Sequence, residues 1–146
     1  MYRGVIIFAP EEPYMEQLAR RIGDSLDSNS FKVEIKPAVQ AEVPDLAAAD
    51  FFVLGSSPQG DRPIHEDFDE ILRALRGMTL AGRVGGVFAV ASDRTLKAFD
   101  RALRDCELNM PEENYKNLKG ADSDSAELSA WMRGLSEQME NRPGGC

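Results

Sequence analysis

Sulfur, histidine, positive charge and long apolar runs are all scarce in this chain, and each shortage excludes something. Two cysteines, Cys106 and Cys146, in 146 residues are too few for a secreted disulfide scaffold, so the expected compartment is a reducing cytoplasm. A chain of this length buries roughly two-thirds of its unfolded surface and folds without disulfide or metal. The single histidine, His65, has no Gly-x-Ser-x-Gly elbow to serve, so it reads as a helix-start residue and no catalytic constellation is assigned. Lys and Arg number 17 against 25 Asp and Glu, a net charge of −8. That balance argues against nucleic acid, whose affinity rests on clustered cations, and suits a basic protein partner. The longest early apolar run, Val5 to Ala9, is too short for a signal-peptide core or a membrane span. Repeats and low-complexity tracts are missing too, so residues 1–141 read as one domain with a disordered tail at 142–146.

What is present alternates between two periods. Val5-Ile6-Ile7-Phe8 has the continuous apolar character of a buried parallel strand. Tyr14, Leu18, Ile22 and Leu26 then recur every fourth residue, beside Met15 and Ala19, as one stripe of a helix. Phe31, Val33 and Ile35 alternate with Lys32, Glu34 and Lys36, which predicts an edge strand closed by Pro37. A short helix or turn over 44–49 leads to an apolar strand, Phe51 to Leu54, and a turn-rich loop from Gly55 to Pro63. Phe68, Ile71, Leu72 and Leu75 predict a helix, Val84 to Val90 a strand, and Ser92-Asp93 the cap of a helix carrying Leu96, Phe99, Leu103 and Cys106 inward. A last strand falls between Leu108 and Gly120. Asp124 with Glu127 opens a final helix bearing Leu128, Trp131, Met132, Leu135 and Met139.

Strand and helix in alternation imply a parallel sheet covered on both faces, a three-layer α/β/α sandwich. Ligands of such sheets bind at the carboxyl ends of the strands, where strand order reverses. The candidate site therefore comprises the loops after the first, third and fourth strands.

Several stretches resemble the flavodoxin family, and the likeness spans nearly the whole chain. They are Val5-Ile6-Ile7-Phe8 with the helix after it, Ala49-Asp50-Phe51-Phe52-Val53-Leu54-Gly55-Ser56, Leu80-Ala81-Gly82-Arg83-Val84-Gly85-Gly86-Val87-Phe88, and Leu118-Lys119-Gly120. The resemblance implies a five-stranded sheet in the order 2-1-3-4-5 and an FMN-binding electron carrier that docks basic redox partners. Its phosphate loop, roughly Thr-x-x-Gly-Ser-Thr, falls on Pro10, Glu11, Glu12, Pro13, Tyr14 and Met15. Two prolines remove amide donors, and two carboxylates stand where a phosphate dianion belongs. The second loop, Ser56, Ser57, Pro58, Gln59 and Gly60, offers Gln59 where the family stacks an aromatic ring, and no ring follows until Phe68. The third, Ala91, Ser92 and Asp93, is short and also without a ring.

A hydrogen bond to a charged group contributes roughly 1.5–3 kcal/mol. Nanomolar affinity is only about −12 kcal/mol in total. The expected protein is thus a flavodoxin-like module with an eroded FMN site, a binding or interaction domain rather than an enzyme, with no cofactor at high affinity. The alternative is a genuine FMN carrier with an atypical phosphate loop. Glu11 and Glu12 read as a solvated acidic loop; a further alternative groups them with Asp61 and Asp93 in a cleft for a cation. Cys106, Trp131 and the helical methionines read as core, and Cys146 as an exposed tail residue.

Overall fold

Unbroken apolar strands hold together only when both faces are covered, and both are covered here. The computed structural model describes residues 2–26, 31–79, 83–90, 92–104 and 115–118, with positions 133, 134 and 137 in helical conformation. The elements are β1 (Tyr2–Ala9), α1 (Pro13–Leu26), β2 (Phe31–Pro37), α2 (Val43–Ala47), β3 (Phe51–Ser56), α3 (Asp69–Leu75), β4 (Val84–Val90), α4 (Asp93–Arg104) and β5 (Tyr115–Leu118). Short 3-10 segments at Ala38–Gln40 and Glu66–Phe68 precede α2 and α3. The strands form one parallel sheet in the order β2-β1-β3-β4-β5, the order that the resemblance implies.

Alternation along each strand sorts the core into two layers. Val5, Ile7, Phe52, Leu54 and Val87 face Leu46, Phe68, Ile71, Leu75, Phe99 and Leu103 from α2, α3, α4 and the 3-10 segment before α3. Ile6, Phe8, Phe51, Val53 and Phe88 face Met15, Leu18, Ala19 and Ile22 of α1. The period-four stripe of α1 is therefore a packing face. On β2 the alternation also holds, with Lys32 and Glu34 exposed and Val33 and Ile35 half-buried at the sheet edge. Lys36 fastens that edge to α2 through Asp45 at 2.8 Å, a contact that holds the Asp45 carboxyl below its ordinary range.

Two glycines set how closely the strands pack. Gly4 is in register with Phe51, and Gly55 with Phe88. A Cβ on Gly4 would fall 2.0 Å from Phe51 Cζ, and one on Gly55 would fall 2.0 Å from Phe88 Cζ. Each ring thus occupies the space that the neighbouring strand's side chain would have taken.

Three stretches fold otherwise than their local pattern predicts. Gly55 and Ser56, expected in a loop, are the buried last residues of β3, because the ladder with Phe88 and Ala89 extends that far. β1 starts at Tyr2 rather than Val5, drawn out by pairing with Phe31 through Val33. Phe68, expected within a helix, ends a 3-10 turn. Cys106, Trp131, the tail and most of the expected final helix lie outside the described residues. Among the described residues no helix is long and apolar enough to cross a membrane.

Candidate functional site

Strand order reverses at β1. The chain goes from β1 to β2 on one side and returns to β3 on the other, which opens a crevice at the carboxyl ends of β1 and β3. The loops that follow Ala9 and Ser56 line it.

The first loop is Pro10, Glu11 and Glu12, entered through a cis Ala9–Pro10 peptide and ended by Pro13 as the first residue of α1. Glu12 N–H donates to Pro10 O at 2.9 Å, and Glu12 O accepts the Glu16 N–H at 3.0 Å. Pro10 and Pro13 carry no N–H at all. Half of the six amide positions from 10 to 15 thus have no donor to offer a ligand. Glu11, Glu12 and Pro13 are exposed. Met15, counted as a site residue from the sequence, is fully buried against the α1 side of the sheet; its place in the helical stripe outweighs its place in the loop. Tyr14, half-buried, reaches across the crevice, its hydroxyl donating to Ser57 Oγ at 3.3 Å. Ser57 N–H in turn donates to Ala9 O at 3.2 Å, so the two loops are seamed together.

The second loop closes on itself. Gln59 and Arg62 exchange backbone hydrogen bonds at 3.0 and 2.9 Å around Gly60, whose φ of 57° suits glycine. Gln59 Oε1 accepts the Glu66 N–H at 3.1 Å, and Arg62 pairs with Asp69. Ser56 is fully buried; its hydroxyl accepts the His65 N–H at 3.0 Å and donates to Ser57 O at 2.8 Å. His65 Nδ1 accepts the Asp67 N–H at 3.1 Å, the helix-start role expected of it. Pro58 is half-buried beside these residues. The Phe68 ring, the first aromatic after the loop, is buried edge-on against Phe99 at 5.2 Å and presents no face to a ligand.

Ser56→Ala is expected to cost about 1–3 kcal/mol, because it leaves the His65 N–H unpaired. Urea unfolding is the check.

In the third loop Ala91 lies outside the described residues. Ser92 caps α4, its Oγ accepting the Thr95 N–H at 3.2 Å, and Asp93 is exposed at the helix start. Sequence reasoning missed Thr95. Fully buried, its hydroxyl lies 2.9 Å from Ser92 Oγ and bonds Pro63 O, joining α4 to the second loop. The Ser-x-x-Thr spacing was the available signal. Among the described residues no three acidic, histidine or cysteine side chains are grouped to hold a metal ion, so Glu11, Glu12, Asp61 and Asp93 do not assemble into the metal-binding version of the cleft.

A parallel five-stranded sheet in this order, with its crevice at the β1/β3 reversal, defines a doubly wound α/β protein of the flavodoxin type. No protein-family model matches the chain, and no curated protein matches it in sequence. Solved structures do match. A short-chain flavodoxin associated with a PDU bacterial microcompartment superposes with a TM-score of 0.83 at 21% identity, covering 95% of this chain and 99% of that one. Flavodoxin 2 from Bacillus cereus, in its oxidised form, gives 0.82 at 21% identity over 93% and 99%. A Streptococcus pneumoniae flavodoxin gives 0.81 at 18% over 93% and 99%. At such identities the shared property is the fold. The described residues have the flavodoxin fold.

Proposed function

We propose that this protein is a flavodoxin-fold binding module that does not hold FMN tightly in the family's usual pose. The observation that carries the reading is the composition and wiring of the β1–α1 loop. Two prolines lack donors, the Glu12 amide is turned back onto Pro10, and Glu11 and Glu12 are exposed in the loop that the resemblance to flavodoxins aligns with their phosphate loop. Tyr14 adds bulk, bridging to Ser57 across the same crevice. Exposed carboxylates repel a nearby phosphate by less than the roughly 3 kcal/mol expected at ~5 Å and an effective dielectric of ~20, because solvent screens them. The missing donors add to that, at roughly 1.5–3 kcal/mol for each charged hydrogen bond.

The second reading is an FMN-dependent electron carrier. It is favoured by the neighbours, which are themselves described as flavodoxins, and by a self-supporting 57–62 loop following β3.

The purified protein is expected to be colourless, and to leave FMN fluorescence unquenched when added at micromolar concentration. Yellow protein whose flavin absorbance survives gel filtration would overturn the proposal and establish the second reading.

A further inference from the structure

Next to the second loop, whose Gln59 Oε1 accepts the Glu66 N–H, a groove of about 580 Å³ runs between the 3-10 segment after β2 and the α3 region, within the size range of specific ligand clefts. Ala38, Val39 and Ile71 give it an apolar floor. Val39 is 56% exposed and the large hydrophobic residue left open to solvent among the described residues. Glu42, Glu66, Asp67 and Glu70 supply the charged part of the lining, and among the described residues no Lys or Arg contributes to it. The nearest relief is slight: Arg73 approaches Glu70 at 3.5 Å with both side chains largely in water. His65 Nδ1 stands 3.5 Å from Asp67, but it accepts the Asp67 amide proton and so offers that carboxylate no proton of its own.

We infer that this groove docks a basic segment of a partner protein, an aliphatic side chain seated over Val39 and flanking Lys or Arg side chains set against the four carboxylates. The chemistry is complementary on both counts. Apolar floor rewards a buried aliphatic anchor, and a single-sign rim selects cations and repels acidic chains. A second copy of this chain is disfavoured as the occupant, because every copy carries the same net charge of −8. The inference names the partner side of the binding-module reading and rests on it, yet its test involves no flavin, so the two fail separately.

The probe is a short fluorescein-labelled peptide with Lys and Arg flanking a central Leu, followed by fluorescence anisotropy and by amide chemical shifts of the labelled protein. Micromolar binding is expected, with the largest shifts at Val39, Ala41, Ile71 and Ala74. Glu66→Lys with Glu70→Lys should weaken it about tenfold or more and flatten its salt dependence. Val39→Ser, at an exposed position that does not threaten folding, should weaken it several-fold with the salt dependence intact, as should Ser for Leu in the peptide. The control is Glu16→Lys with Asp24→Lys on α1, across the sheet, which changes net charge equally and should leave affinity within about twofold. Equal loss in that control, or equal binding of a peptide with Glu for each cation, would reduce the effect to overall charge and overturn the inference. So would self-association abolished by Val39→Ser, which would make a second copy the occupant.

Discussion

Gly55→Ala is expected to destabilise the protein by about 3 kcal/mol and to lower Tm by roughly 10 °C. The new Cβ would fall 2.0, 2.2 and 2.3 Å from three carbons of the Phe88 ring, inside any tolerable contact. Phe88 cannot swing aside freely, since it is itself fully buried against the α1 layer. Overpacking a filled core costs typically 1–3 kcal/mol, and the absence of slack on either side of this ring places the cost at the top of that range. Phe88→Ala alone should cost about 3–5 kcal/mol through the cavity it leaves. In that background the added methyl enters vacated space, so Gly55→Ala becomes neutral or mildly stabilising. The coupling between the two changes should be at least ~2 kcal/mol. Simple additivity in urea or thermal unfolding of the four proteins would show that the ring does not occupy the glycine's side-chain space. Gly4 and Phe51 repeat the arrangement one strand over, so Gly4→Ala tests the same idea independently.

That interlock explains what could and could not be read from the sequence. Strand cores and their parallel sense were legible because apolar runs and strand–helix alternation are local signals, whereas the strand order came from the flavodoxin resemblance. Val5 to Phe8 and Phe51 to Leu54 could only be buried strands. The wet edge at β2 followed from its alternation. Gly55 and Ser56 were misread as loop because Gly, Ser and Pro are turn formers by local preference, whereas their strand state depends on Phe88 and Ala89, thirty-odd residues away in the chain. The same non-local reason hid the bond from the Thr95 hydroxyl to Pro63 O on the second loop.

At the crevice the loss of amide donors was legible from Pro10 and Pro13 alone. Two further facts were not. Tyr14 belongs both to the α1 stripe and to the bridge with Ser57, and no periodicity reports a contact between residues 43 positions apart. Met15 aligned with a phosphate-loop position, yet its side chain is core. A gapless alignment assigns each residue one role, while the first turn of a helix under a sheet gives adjacent residues opposite ones.

The difference decides how the loop should be rebuilt. Pro10→Thr, Glu11→Ala, Glu12→Ala, Pro13→Gly and Tyr14→Ser together, with Met15 kept, should raise FMN affinity at least ~100-fold over the parent protein. Two restored amides contribute roughly 1.5–3 kcal/mol each if they reach the phosphate. Removing two exposed carboxylates relieves about 1 kcal/mol apiece after screening. Against this, replacing a proline suited to the first helical turn with glycine costs about 1 kcal/mol of helix stability. With only one of the two amides engaged, the net gain is near 3 kcal/mol, about two decades in Kd, readable by quenching of flavin fluorescence. Adding Met15→Thr, as alignment alone would direct, should cost about 2–5 kcal/mol of stability and bring no further affinity, because that side chain points into the α1 layer and away from the crevice. Rebuilt protein that folds and still ignores FMN would show that the first loop is not what limits flavin binding, and would point to the second loop, where Gln59 accepts the Glu66 N–H and the next ring, Phe68, is turned into the core.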